Sequence, residues 1–309
     1  MTEAENLGDQ AMVDRRTLLA ASFGGSALLT AAPAAAAPGA AVSAPETLKL
    51  WPAGPPGGAG LNLVQQIIPE SEGGSGRVFT HVAEPLVDVY RAPTGGDTAV
   101  LVIPGGGFTS VWFDKEGVEI SRWLNRNGIS AGALLYRLPG DGWAAKEDAP
   151  MQDALRALRL LAKATGAKRL GVMGFSAGGT IAAALATRWD EIRYPAVDAA
   201  DALEVRPAFM ALGYPFLNRP PPPALATMFH GMTAKAPPAF FFLAADDKRV
   251  SIDNSTEAFK TLRGFGVPAA LHVFESGGHG FGLRSPPGAS TGLWPDLFLA
   301  WARGEGVLG

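Results

Sequence analysis

The 309-residue chain contains no cysteine, so it can form neither disulfides nor a thiolate metal site. Histidine is scarce, limited to His81, His230, His272 and His279. No Cys/His cluster and no His-Glu-x-x-His pattern is present, so no metal is expected. Charge of one sign is also lacking: 26 Lys and Arg stand against 29 Asp and Glu, a formal net charge of -3. With the basic residues unclustered, this balance argues against a nucleic-acid partner. No internal repeat is found, which removes solenoids and propellers. What remains is 47% hydrophobic, enough for one large domain with a full core.

Three regions follow from composition. Asp14-Arg15-Arg16-Thr17-Leu18-Leu19 precedes an Ala-rich, weakly hydrophobic stretch, and residues 1–44 read as a twin-arginine export signal. The expected location is the periplasm or outside the cell, with no stable membrane association once the signal is removed. Residues 45–78 are rich in Gly and Pro around the apolar island Leu48-Lys49-Leu50-Trp51 and read as an irregular N-terminal arm. Residues 79–309 alternate strand and helix patterns, so a mostly parallel sheet with helices on both faces is expected, an α/β architecture. Lys115 to Asn125 has helical spacing, and Asp148 stands where it can cap a helix running to Gly166.

Chemistry concentrates in Gly174-Phe175-Ser176-Ala177-Gly178. This G-x-S-x-G pentapeptide follows a short apolar strand pattern and precedes a run of helix formers, the setting of a nucleophile elbow in an α/β-hydrolase fold. A serine hydroxyl needs a base within hydrogen-bond reach, and the base needs an orienting acid. In this fold the order along the chain is Ser, acid, His. The buried strand pattern Ala239 to Ala245 ends at Asp246-Asp247. Asp246 directly follows the strand and is read as the acid, with Asp247 as the other choice. His279 lies in the glycine-flanked loop after the last strand and is read as the base, whereas His272, inside a strand pattern, is read as structural.

Upstream, Pro104-Gly105-Gly106-Gly107-Phe108 follows the strand pattern Thr98 to Ile103. Its glycines can turn N–H groups toward a developing oxyanion, so Gly106 and Gly107 are assigned to the hole with Ala177 from the elbow. Phe108 and Trp143 are expected at the substrate. Between Pro215 and Pro238 the alternation breaks into a proline-rich stretch, read as a minimal lid whose rim includes Phe229 and Met232.

Taken together, Pro104 to Phe108, Glu116-Gly117, Tyr136-Arg137-Leu138-Pro139, Gln152-Asp153, Gly174 to Gly179, Asp246-Asp247 and Gly277-Gly278-His279-Gly280 resemble bacterial α/β-hydrolase esterases related to acetylxylan esterases, over nearly all of residues 47–305. The resemblance implies a serine carboxylesterase that hydrolyses short acyl esters, acetyl above all, of carbohydrates such as xylan. It would work without a cofactor, through an acyl-enzyme on Ser176, with Asp246, His279 and the glycine loop in their family roles. Two positions depart from the family pattern. Pro104 stands where many relatives have histidine, and Lys248-Arg249 follows the paired aspartates, where cations would favour acidic glycans. Two other readings compete with it. A peptidase related to prolyl oligopeptidase shares the residue order, but this chain has no room for a propeller. A non-catalytic binding protein is opposed by the intact Ser176, His279 and Asp246.

Overall fold

Along each central strand the side chains alternate between two apolar layers, as strand geometry requires. In β5 (Thr98–Ile103), Ala99, Leu101 and Ile103 join one core cluster, while Val100 and Val102 join the other. In β9 (Ala239–Ala244), Ala239 and Phe241 face the first cluster; Phe240, Phe242 and Ala244 face the second. Strands buried on both faces read as continuous apolar runs, and only helices on both sides can cover them. The structure, a computed structural model, describes residues 44–70, 74–93, 96–192, 194–217 and 228–308. Residues 1–43, which carry the export-signal reading, lie outside the described residues.

The remaining strands are β1 (Glu46–Lys49), β2 (Gln66–Pro69), β3 (Arg77–Thr80), β4 (Leu86–Tyr90), β6 (Ser130–Leu135), β7 (Arg169–Phe175), β8 (Pro207–Gly213) and β10 (Ala269–Phe274). The main sheet has the order β1-β4-β6-β5-β7-β8-β9-β10. From β6 to β10 all pairings are parallel, and β4 pairs antiparallel with both β6 and β1. Helices α2 (Asp148–Thr165), α3 (Ala177–Arg188) and α4 (Asp253–Gly264) cover one face, and α1 (Glu119–Arg126) and α5 (Trp294–Gly304) the other. This is the α/β-hydrolase architecture expected from the strand and helix alternation together with the Gly174 to Gly178 elbow.

The helix expected from Lys115 to Asn125 is in two parts. Residues Phe113–Val118 form a π-helical turn, and α1 continues from Glu119. A π turn is one residue wider than an α turn, a change that a 3.6-residue pattern cannot announce. At the start of α2, Asp148 is the first helical residue rather than a cap, and Glu147 precedes it without a capping hydrogen bond.

The arm is more ordered than its composition suggests. β1 pairs along the outer edge of β4, and β2 and β3 form a separate antiparallel ribbon. An uncovered β4 would leave a row of backbone groups unpaired, and a four-residue strand is enough to cover them. Leu50 and Trp51 then drop into the core. The Trp51 indole N–H donates to Asp153 Oδ1 at 2.7 Å, and Arg137, itself fully buried, pairs with the same carboxylate at 2.8 Å. The Arg137 guanidinium lies 5.5 Å from the Trp51 ring centre and 5.2 Å from that of Trp143, and it donates to the Pro56 carbonyl at 2.7 Å. A buried cation sandwiched by two indoles thus fastens the arm to the loop after β6.

Candidate active site

Ser176 sits between β7 and α3 with φ 50° and ψ -118°, a conformation that costs about 1–3 kcal/mol and persists only where its surroundings impose it. Its N–H donates to Gly213 O at 3.0 Å, and its carbonyl accepts from Gly179 at 2.9 Å and Phe216 at 3.0 Å. Neighbours two positions away must be glycine. A Cβ on Gly174 would fall on the Gly178 carbonyl, and a Cβ on Gly178 on the carbonyls of Ile103 and Pro104.

His279 Nε2 is 2.8 Å from Ser176 Oγ, and His279 Nδ1 is 2.6 Å from Asp247 Oδ2. With the proton on Nδ1 donated to Asp247, Nε2 is left to accept from the serine hydroxyl. The structure therefore corrects the expected acid: Asp247, not Asp246, lies against the histidine. The chain turns as it leaves β9, with Asp247 N–H returning to Ala244 O at 3.4 Å. That turn leaves Asp246 exposed, where its Oδ1 accepts the N–H groups of Gly277 and Gly278 at 2.9 and 2.8 Å. Asp247 is carried under the imidazole, its side chain 2% exposed. Its other oxygen accepts from Arg249 at 2.8 Å and Val250 at 3.0 Å, an Asx-type turn. Burial alone would raise the Asp247 carboxyl, but the hydrogen bonds from His279, Val250 and Arg249 outweigh it and hold the group below its ordinary value.

The glycine loop closes on itself. Gly106 O accepts the N–H groups of Thr109 and Ser110 at 3.2 and 3.1 Å. Gly106 has φ 136°, and a Cβ there would fall on the Ser110 carbonyl. Among the described residues, no protein acceptor takes the N–H of Gly106 or Gly107. The Ala177 N–H belongs to the first turn of α3, where helical N–H groups lack an intrahelical partner. These three donors stand near the elbow: a Cβ on Gly105 would lie 2.9 Å from Ser176 Cβ.

Two polar residues in this region escape sequence reasoning. Glu116, in the π turn, is 5% exposed. Its Oε2 accepts the Gly105 N–H at 2.8 Å and its Oε1 accepts the Tyr214 hydroxyl at 2.7 Å. Burial pushes its carboxyl above the ordinary value, against the pull of Tyr214 and Gly105. Tyr214, buried with φ 36°, packs edge-on against His279 with ring centres 5.0 Å apart. Its hydroxyl is pushed up by burial and by the Glu116 carboxylate. Within the sequence the only pointer was Glu116-Gly117 among the motifs of the resemblance.

The expected substrate residues fare differently. Trp143, expected at the substrate, is buried instead, its ring beside the Arg137 guanidinium and packed against Gly58 of the arm. Met232 belongs to the buried core and Phe229 packs partly buried against it, so both hold their loop down rather than forming a free rim. Residues 218–227 of the proposed lid lie outside the described residues. Phe108 is buried beside the glycine loop with φ 62°. His272 stays in β10, its ring 4.9 Å from that of Phe240, and burial lowers its pKa. Among the described residues, no group of three or more His, Asp and Glu side chains is placed to hold a metal ion, and no helix is long and apolar enough to cross a membrane.

Residues 100–225 match a family described as having the α/β-hydrolase fold. An acetyl ester-xyloside bifunctional hydrolase from Caldicellulosiruptor lactoaceticus superposes with a TM-score of 0.64 at 27% identity, covering 87% of this chain and 99% of that one. A carboxylesterase from Lactobacillus plantarum shares the fold, with a TM-score of 0.59 at 21% identity over 80% of this chain and 99% of its own. In sequence, endo-1,4-beta-xylanase B of Butyrivibrio fibrisolvens is 27% identical over 179 residues, half of this chain but only 27% of that protein.

Proposed function

We propose that this chain, a carboxylic ester hydrolase of the α/β-hydrolase fold related to acetylxylan esterases, is a serine esterase that removes short acyl groups, acetyl first, from carbohydrates such as xylan. The observation that carries the reading is the unbroken hydrogen-bonded chain Ser176–His279–Asp247, with the glycine loop close beside Ser176. Ser176 Oγ attacks the ester carbonyl while its proton passes to His279 Nε2. Asp247 keeps the imidazole oriented and balances the imidazolium. The carbonyl oxygen becomes an oxyanion and takes hydrogen bonds from the N–H groups of Gly106, Gly107 and Ala177. The intermediate collapses, the sugar alcohol leaves with the proton from His279, and the acyl group stays on Ser176. Water, deprotonated by His279, then attacks the acyl-enzyme and releases the acid.

The acetyl and xylan preference is supported by the substrates named for the two relatives rather than by any pocket residue. Its test is acetate release from acetylated xylan, with Ser176→Ala as the control. Cleavage of p-nitrophenyl acetate without release from xylan would retain the esterase and discard the polysaccharide. Export through Arg15-Arg16 belongs to the same reading. If changing both arginines to lysine left the protein's distribution between cytoplasm and periplasm unaltered, the export route would be wrong.

A further inference from the structure

A carboxylate sealed in the interior without a tight ion pair is costly, and a well-packed apolar side chain usually serves stability better. Glu116 is such a group, and it lies beneath the reacting residues. Its two oxygens are shared between the two halves of the site. Oε2 takes the N–H of Gly105, at the root of the glycine loop. Oε1 takes the hydroxyl of Tyr214, whose oxygen in turn accepts the N–H of Gly282, three residues past His279, at 3.1 Å. The Gly282 carbonyl is held from the other side by the Trp294 indole at 2.8 Å. The Tyr214 ring meets both His279 and Phe281 edge-on, at 5.0 and 4.9 Å between centres.

The space around the carboxylate is closed. A Cβ on Gly105 would come within 2.9 Å of Glu116 Oε2, and one on Gly280 within 4.0 Å of Oε1. Glu116 lies in the π turn, and charged residues near it in the chain are tied elsewhere. Asp114 pairs with Arg77 of β3 at 2.7 Å, and Glu119 binds Arg284. Glu116 is thus buried in the middle of the π turn together with Lys115, Gly117 and Val118, while Asp114 and Glu119 pair with arginines of other segments.

We propose that Glu116 is a positioning residue that ties the glycine loop to the histidine loop through Tyr214, and so fixes where the oxyanion-binding N–H groups stand relative to His279. The inference rests on the serine-esterase reading. Glu116 does not touch Ser176 Oγ or the imidazole, and it acts through the two loops it joins.

The test is steady-state hydrolysis of p-nitrophenyl acetate together with the rate of Ser176 labelling by a fluorophosphonate. Glu116→Ala should lower kcat by about 10²-fold, comparable with the loss of one oxyanion donor, with KM moved less than about 3-fold. Glu116→Gln keeps an acceptor oxygen and the volume, and should recover at least about tenfold of that loss. Tyr214→Phe cuts only the histidine branch and should cost about tenfold. Added to Glu116→Ala it should cost little more, because both belong to one network. Labelling rates should fall in the same order. The proposal is overturned if Glu116→Ala keeps kcat within about twofold of the parent, or if the Glu116 and Tyr214 effects multiply as independent changes. Should Glu116→Ala fail to fold, Glu116→Gln and Tyr214→Phe carry the test, and parent-like rates in both would overturn it. A parent protein inert to both reagents would instead sink the esterase reading.

Discussion

The two loops beside Ser176 are both rich in glycine and differ in how much of their bonding is their own. The glycine loop after β5 makes bonds within itself, with Gly106 O gathering the N–H groups of Thr109 and Ser110 and Trp112 N–H returning to Gly105 O, beside outside ties from Glu116 to Gly105 and from Tyr136 to Pro104. The histidine loop after β10 relies on distant parts of the chain. Asp246 binds its Gly277 and Gly278, Tyr214 and Trp294 grip Gly282, and Arg284 spans Glu70 of the arm and Glu119 of α1. A self-bonded loop depends on its own residue types, whereas a loop held from afar can be loosened by changes many residues away. Self-bonding suits N–H groups that must present fixed dipoles, and outside anchors suit a base whose ring must align with two partners at once.

The largest expected effect separates the adjacent aspartates. Asp247→Asn should lower kcat by about 10⁴-fold, since the wrong imidazole tautomer is then favoured. Steady-state rates would show it, and a loss below tenfold would return the acid role to Asp246. Next comes the self-bonded loop. Gly106→Ala forces a Cβ onto the Ser110 carbonyl and should cost about 10²–10³ in rate while the protein still melts cooperatively. Asp246→Ala frees only two N–H groups of the histidine loop, and a loss of about tenfold in kcat is expected, much smaller than for its neighbour. Arg284→Ala should be milder still, about two- to threefold in rate, because its ion pairs are partly solvated. If Arg284→Ala proved more damaging than Gly106→Ala, the contrast between the loops would be wrong.

The smallest effect concerns acid stability. The Asp247 carboxyl is held below its ordinary value in the folded state, so the folded protein binds fewer protons than the unfolded chain as the pH drops through about 3.9. The stability it adds is complete above that value and is lost as pH falls toward the folded one. Asp247→Asn should flatten that part of the melting temperature profile between about pH 5 and 3. An unchanged acid limb would show that other carboxylates set it.

What the sequence made legible follows the same divide. The elbow and the glycine loop are local steric demands, met by glycines at fixed offsets from Ser176 and Pro104, and both are visible in a few consecutive residues. The parallel sheet was legible because β5, β7 and β9 are short apolar runs between helical patterns. The choice between Asp246 and Asp247 depends on how one turn rotates as it leaves β9, which alternation along a strand does not encode. Glu116 and Tyr214 are 98 residues apart, and neither strand alternation nor helical spacing announces that they meet. Trp143 is expected at the pocket because it lies in a loop, and the arm segment it packs against carries a composition usually found in loose segments.

That arm also redraws the unit that could be moved between proteins. Composition places the start of the catalytic domain at residue 79, yet the edge of the sheet is finished by Glu46–Lys49, and Trp51 shares the Asp153 carboxylate with Arg137. A module cut at residue 79 would carry an open β4 edge, prone to pairing with other chains, and a buried ion pair stripped of one wall. Grafted onto another enzyme, the portable piece begins at Glu46, and the glycine-rich stretch behind it travels as part of the body rather than as a tether.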